Sequence, residues 1–313
     1  MMNNQSAPFE FTVQRCGATV WPLFQGQGDG RVVAVFDSSF YVEIDGHYAC
    51  IGTEALDAAP LNLTTSAPGA TDWRASGLCI NAKVGVSDHT IRVGRRFHFR
   101  LTNTARWSPE PLPADWNRER IAHGISEFRR AAEVRIPDEG LGLYINEGTA
   151  PRENQIVATV AKVPIAGLCE WLTNSFHSPN SKITKGLRWV YPLTGTGPGL
   201  TPSGGDFIGG MMITLRALGE TEICHRLWIP TKRCALEIDN PIATAHLEAA
   251  FEGLANSGVH RMLNAIMAGL GEEIQDAVND IDGIGHTSGW DAMAGIIAVL
   301  EVWLETHLPV PKT

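Results

Sequence analysis

Residues 31–52, R-V-V-A-V-F-D-S-S-F-Y-V-E-I-D-G-H-Y-A-C-I-G, decide how the chain begins. Two runs, 40–44 and 47–51, rich in Val, Ile, Phe and Tyr, flank Asp45-Gly46. Alternating side chains suit a pleated strand, and Asp-Gly supplies the positive φ angles that a tight hairpin needs. Working outward, 31–36, 77–80, 83–86, 90–93 and 96–102 have the same character, and Asp29-Gly30 offers a second turn. Short strands at this spacing predict an antiparallel barrel or sandwich.

Pro109, Pro111 and Pro113 then interrupt the chain, each removing a backbone donor and fixing φ. Beyond them the apolar period changes to that of helices. Trp116, Ile121, Ile125 and Phe128 share one face of 115–133. Segment 165–176 and later 206–218, 243–255, 258–269, 272–277 and 291–306 also read as helical, with breaks at Asn240-Pro241 and 283–285. Segments 142–145 and 156–163 suit either a strand or a buried helix, and 187–193 a short strand or a helix end. The expected fold is α+β: a β-rich domain over 1–112, then a mainly helical domain over 113–313.

The chain has 313 residues, 44% hydrophobic and 19% charged, with a net charge of −9. That balance suits a globular protein and argues against nucleic acid or an anionic membrane as the main partner, since both attract basic surfaces. The first ten residues lack an apolar leader core, and the apolar runs 207–218 and 292–304 are short for a bilayer span. Six separated cysteines with no C-x-x-C pair suggest reduced thiols and a cytoplasmic location.

Within the helical half one octet, S-G-x-D-x-x-x-G, occurs twice. Its copies are Ser203-Gly204-Gly205-Asp206 with Gly210, and Ser288-Gly289-Trp290-Asp291 with Gly295. Thr201 and Thr287 stand just upstream, and each copy opens an apolar run. A structural account is available: serine caps the helix, aspartate reaches back to the cap amide, and the last glycine permits close helix packing. That account leaves over Gly195, Gly197, Gly199, Gly204 and Gly205. Glycines let backbone N–H groups approach a ligand, and a helix start adds about half a positive charge. Two such starts with the hydroxyls of Thr201, Ser203, Thr287 and Ser288 would suit a small anion. His286 is a candidate donor or general acid, and Asp206 and Asp291 are candidate ligands for a magnesium ion held with a phosphate. Lys182, Lys185 and Arg188 could add positive charge nearby.

Other motifs fit poorly. The glycines at 195, 197 and 199 lack the third-glycine spacing and βα surroundings of a dinucleotide loop. No Gly-Lys-Ser/Thr follows, and 285–289 lacks the G-x-S-x-G spacing of a nucleophile elbow.

Residues 195–210, G-T-G-P-G-L-T-P-S-G-G-D-F-I-G-G, resemble a family signature, G-x-G-P-G-L-T-P-S-G-D-D-F-L-x-G. Residues 285–295, G-H-T-S-G-W-D-A-M-A-G, resemble its companion, G-H-T-S-G-x-D-x-L-x-G. Both belong to a bacterial family, long catalogued as a domain of unknown function, that includes the AllH-type subunit associated with oxamate carbamoyltransferase in ureide (allantoin) breakdown. The resemblance implies carbamoyl transfer involving oxalurate, oxamate, phosphate and carbamoyl phosphate, with companion subunits; the alternative is a non-catalytic assembly subunit or an anion-binding protein. It places Gly197, Gly199, Thr201, Ser203 and Gly204 at one wall of the site and His286, Thr287, Ser288 and Gly289 at the other, with Asp206 and Asp291 orienting the loops or holding a cation. Where the signature has two aspartates, this sequence has Gly205 and then Asp206.

Overall fold

A computed structural model describes residues 7–146, 148–178 and 184–307; Lys182 lies outside them. The chain divides into two compact units, 1–109 and 110–313.

The first unit is a closed barrel. Its strands are β1 (Phe9–Gly17), β2 (Gly28–Val35), β3 (Ser39–Ile44), β4 (His47–Gly52), β5 (Asn62–Thr65), β6 (Lys83–Ser87), β7 (Thr90–Val93), β8 (Phe97–Arg100) and β9 (Ala105–Trp107). They pair in the order β5-β4-β3-β2-β6-β7-β8-β1, and a further β1–β5 pairing closes the ring. β1 makes the closure possible. Its 9–12 half lies parallel to β8, its 15–17 end lies parallel to β9, and 13–16 pairs antiparallel with β5. Closure removes the exposed strand edges that would otherwise invite pairing with other chains.

The expected hairpin is present, with Ile44 opposite His47 and φ of 50° at Asp45 and 82° at Gly46. The barrel is mixed rather than purely antiparallel, since β1–β8, β1–β9 and β4–β5 are parallel. Residues 77–80, read as a strand, form turns, and Gly77 takes φ +81°. β1, β5 and β9 lie outside the expected strands, although Phe9, Phe11 and Val13 alternate with Glu10, Thr12 and Gln14 along β1. Trp73, buried outside any strand, packs edge-on against Phe40 and Phe97 and donates its indole N–H to Ser38 O.

The second unit holds α1 (Arg118–Ala132), α2 (Ile156–His177), α3 (Val190–Thr194), α4 (Ser203–Ala217), α5 (Thr221–Ile238), α6 (Pro241–Phe251), α7 (Ser257–Ala268), α8 (Gly271–Asp282) and α9 (Ser288–Thr306). Segment 142–145 is a 3-10 turn, and 187–193 spans a 3-10 turn and α3. α2 unites 156–163 with 165–176 through Pro164; by length and composition alone it is apolar enough to cross a membrane, while Trp171, Leu172 and Phe176 lie in the helical core. Periodicity assigns no helix to 221–238, yet α5 runs through it with Pro230 inside, held by buried Ile223, Leu227, Trp228 and Thr231. α4 is apolar around nearly its whole circumference, so it is enclosed by α3, α5, α6 and α9.

His260 on α7 is buried and accepts the Ala255 N–H at Nε2, 3.0 Å away. Burial pulls its pKa from 6.5 to about 4, because the charged ring would lose its hydration. The unfolded chain therefore binds the extra proton first, and this contribution to stability is lost as pH falls from 6.5 towards 4. Thermal melts across that interval should show a smaller loss for His260→Gln than for the native chain. Equal losses would remove His260 from the acid response.

Candidate functional site

α4 and α9 cross where the two octets lie, and glycines set how closely they cross. A Cβ on Gly210 would stand 2.0 Å from the Ala292 carbonyl oxygen, and a Cβ on Gly295 would stand 2.0 Å from that of Phe207. The contact is reciprocal: the eighth residue of each octet meets the fifth of the other. Any side chain at either glycine would push two backbones apart.

The segments leading into the crossing correspond as well. Thr196 N–H bonds to Leu193 O and Ile284 N–H to Ile281 O. Gly204 N–H then bonds to Thr196 O, and Gly289 N–H to Ile284 O. A Cβ on Gly204 would strike Leu193 O, and one on Gly289 would strike Ile281 O. Gly197 and Gly285 occupy matching turns with positive φ of 108° and 60°, each beside the serine of its own octet. The sequence motif is thus the visible part of a larger structural repeat, α3–loop–α4 against α8–loop–α9.

The capping-box account fails at both starts. Pro202 and Thr287 are the residues that precede the helices, and neither makes a side-chain cap bond. Ser203 and Ser288 begin the helices themselves, and their hydroxyls cross to the opposite octet. Ser288 hydrogen-bonds to Asp206, and Ser203 to Asp291. Ser288 Oγ also lies 3.1 Å from Thr201 Oγ1. Gly204 and Gly289 spend their amides inside their own loops, whereas the N–H groups of Ser203, Gly205, Ser288 and Trp290 have no protein acceptor among the described residues. Those four amides are the unpaired donors of the two helix starts, Ser203, Gly205 and Trp290 being buried and Ser288 partly so.

Asp206 and Asp291 face each other across the crossing. Burial raises the Asp206 carboxyl well above the usual carboxylate range; hydrogen bonds from Ser288 and Thr201 oppose the rise, and the neighbouring Asp291 charge adds to it. Asp291 is also raised by burial, against hydrogen bonds from the Leu141 N–H, Thr287 and Ser203 and the charge of His286. The two differ in how far they are satisfied. Asp291 Oδ1 accepts the Leu141 N–H, and Asp291 Oδ2 accepts the Thr287 hydroxyl at 2.8 Å. Asp206 Oδ2 is closed off from solvent and has no hydrogen-bond partner among the described residues.

The crossing therefore gathers Thr201, Ser203, Gly204, Asp206, Thr287, Ser288, Gly289 and Asp291. Gly197 supports Ser203, while Gly199, at φ +99°, lies on the exposed loop with open space beside it. His286 is turned to the surface, its side chain 80% exposed, with Nε2 2.9 Å from Glu139 Oε2. Arg188 stacks over Trp189. No group of three or more His, Cys, Asp or Glu stands together among the described residues, so a magnesium ion would meet only the two aspartates and neighbouring hydroxyls. Leu141 was missing from the expected site because a backbone amide leaves no side-chain signature. Gly140 beside it, at φ +75° and pressed against Asp291 and Thr287, is the nearest signal.

Residues 193–300 match the family model of the oxamate carbamoyltransferase subunit AllH. The AllH-like segment runs from the end of α3 into α9 and holds both octets, the loops before them and all four unpaired amides. No curated protein and no solved structure matches the chain. The departure from the AllH signature at Gly205 is not forced by space, since a Cβ there would meet Thr194 O at 3.4 Å, an ordinary contact.

Gly210→Ala and Gly295→Ala should each cost about 1–3 kcal/mol or more in urea denaturation, by wedging two backbones apart. Gly205→Ala should instead gain about 0.5–1 kcal/mol, because alanine favours the helix and fits. A mild Gly210→Ala would contradict the close crossing. For Asp206 the folded pKa lies above the unfolded one, so its favourable contribution is lost as pH rises from 3.8 upward. Melting temperatures of Asp206→Asn should accordingly gain on the native chain as pH rises through neutrality, and a constant difference would deny the buried proton.

Proposed function

We propose that the chain is the subunit of a carbamoyltransferase acting on oxalurate and oxamate with phosphate and carbamoyl phosphate, and that the small anionic substrate binds where α4 and α9 begin. The observation that carries this reading is the 3.1 Å contact between Thr201 Oγ1 and Ser288 Oγ, which joins the two motifs where α4 and α9 begin. The AllH match over that same segment supplies the reaction class.

The chemistry suits such donors. A phosphate oxygen attacks the terminal carbamoyl carbon of oxalurate, the carbon–nitrogen bond to the oxamate portion breaks, and the phosphate proton passes to the departing nitrogen. Oxamate and carbamoyl phosphate result. Negative charge gathers on the carbamoyl oxygen during the attack, and fixed amides at a helix start stabilise such charge without reorganising. An acidic protein can hold an anion there because the local field of two helix starts opposes its net charge. The chain would work in the cytoplasm with companion subunits.

A second reading, a non-catalytic assembly subunit, draws on exposed apolar side chains at Ile156, Val160 and Val163 of α2 and at Ile229 and Leu236 of α5. In that case the crossing would serve packing alone.

Calorimetry with inorganic phosphate, carbamoyl phosphate and oxamate separates the two. Ser203→Ala and Ser288→Ala should each weaken binding about tenfold, the value of one lost hydrogen bond, with the fold intact by circular dichroism. Unchanged affinity in both variants would leave the assembly reading.

A further inference from the structure

The two halves of the crossing satisfy their aspartates unequally, and that difference carries an inference. Around Asp291 the repeat is complete: one oxygen takes a hydroxyl from its own loop, and the other takes the backbone N–H of Leu141. Around Asp206, Ser288 and Thr201 supply the hydroxyls, but among the described residues no N–H bonds Oδ2 as Leu141 N–H bonds Asp291. A buried carboxyl oxygen without a partner is costly, and native proteins leave few of them.

We infer that Asp206 recognises the carbamoyl, primary-amide end of the substrate, its Oδ2 taking from the ligand the N–H that Leu141 gives to Asp291. This rests on the anion-binding reading above and divides the ligand between two kinds of contact. The anionic end faces the unpaired amides of the helix starts. The amide end faces Asp206, where the unpartnered Oδ2 accepts one N–H of a primary amide. An anionic oxygen there has no hydrogen to give Oδ2 and would add charge beside Asp291. Asp291 faces Asp206 from α9, the hydroxyls of Ser288 and Thr201 are its other polar neighbours, and α3, α5 and α6 add no charge to its balance. Burial and then the neighbouring Asp291 charge raise its pKa, which weakens any attraction for an ammonium or a metal ion. Asp291, saturated by protein, is then a positioning residue, and the pseudo-symmetric pair has one structural and one ligand-contacting member.

Oxamate and oxalate test this directly, because they differ only by NH2 in place of O−. Calorimetry on the full chain should show oxamate bound at least about tenfold more tightly than oxalate, since a site built for a donor rejects the analogue that lacks it. In Asp206→Asn the preference should fall to within about threefold, because an asparagine amide can turn to donate or accept. Inorganic phosphate should bind both proteins alike, as it makes no use of Asp206. The Asn variant keeps the shape and removes a buried ionisable group, so it should fold, and its melting curve checks that. Equal affinity of the native chain for oxamate and oxalate, or a preference that survives in Asp206→Asn, overturns the assignment of Asp206 and leaves the anion site standing. Failure of the native chain to bind either phosphate or oxamate removes the anion site and this inference together.

Discussion

Two backbone contacts, Gly210 on the Ala292 carbonyl and Gly295 on the Phe207 carbonyl, hold the helical unit in its form. Close approach of α4 and α9 at this point draws both helix starts to one place. It buries Asp206 and Asp291 against each other, and it puts each serine within reach of the other helix's carboxyl. A larger residue at either glycine would separate the helices, and these bonds would go with the contact. Packing and site chemistry are therefore the same feature viewed at two scales.

That closeness also explains why the site is electrostatically unusual. Two carboxyls in a sheltered crossing cannot both hold their charge cheaply, so both are pushed towards the neutral form. The hydroxyls and the Leu141 amide offset part of the penalty, and they do so unequally. A symmetric backbone arrangement thereby acquires an asymmetric chemistry, with one carboxyl saturated and one retaining an open oxygen. Both octets share Ser, Gly, Asp and the last Gly, and the turn around Gly140 and Leu141 packs on Asp291.

Much of this was legible beforehand, for identifiable reasons. Asp45-Gly46 announced its hairpin because a two-residue turn is decided by its own φ angles. The octets announced a paired feature because glycine is demanded wherever backbones touch, and that demand recurs wherever the arrangement recurs. The capping role of Ser203 and Ser288 was misplaced by a single position, and one residue along a helix start turns a hydroxyl from its own amides to a neighbouring helix. Strand β1 was legible in the alternation of Phe9, Phe11 and Val13 with Glu10, Thr12 and Gln14, but its pairing with β5, β8 and β9, all distant in sequence, was not. Helix α5 was missed although its buried face is apolar, because Pro230 interrupts its interior pattern.

By itself the sequence determined the α+β class, the turn at Asp45-Gly46 and the existence of two equivalent helix starts, since each depends on local geometry or on a repeated requirement for glycine. Tertiary structure alone decided that the barrel closes through parallel pairings, that the serines bond across the crossing and that His286 faces solvent beside Glu139. It also decided that Asp291 is completed by Leu141 while Asp206 is not. Those outcomes depend on which distant segment arrives beside a residue, and a side chain's own neighbours in the chain carry no record of that.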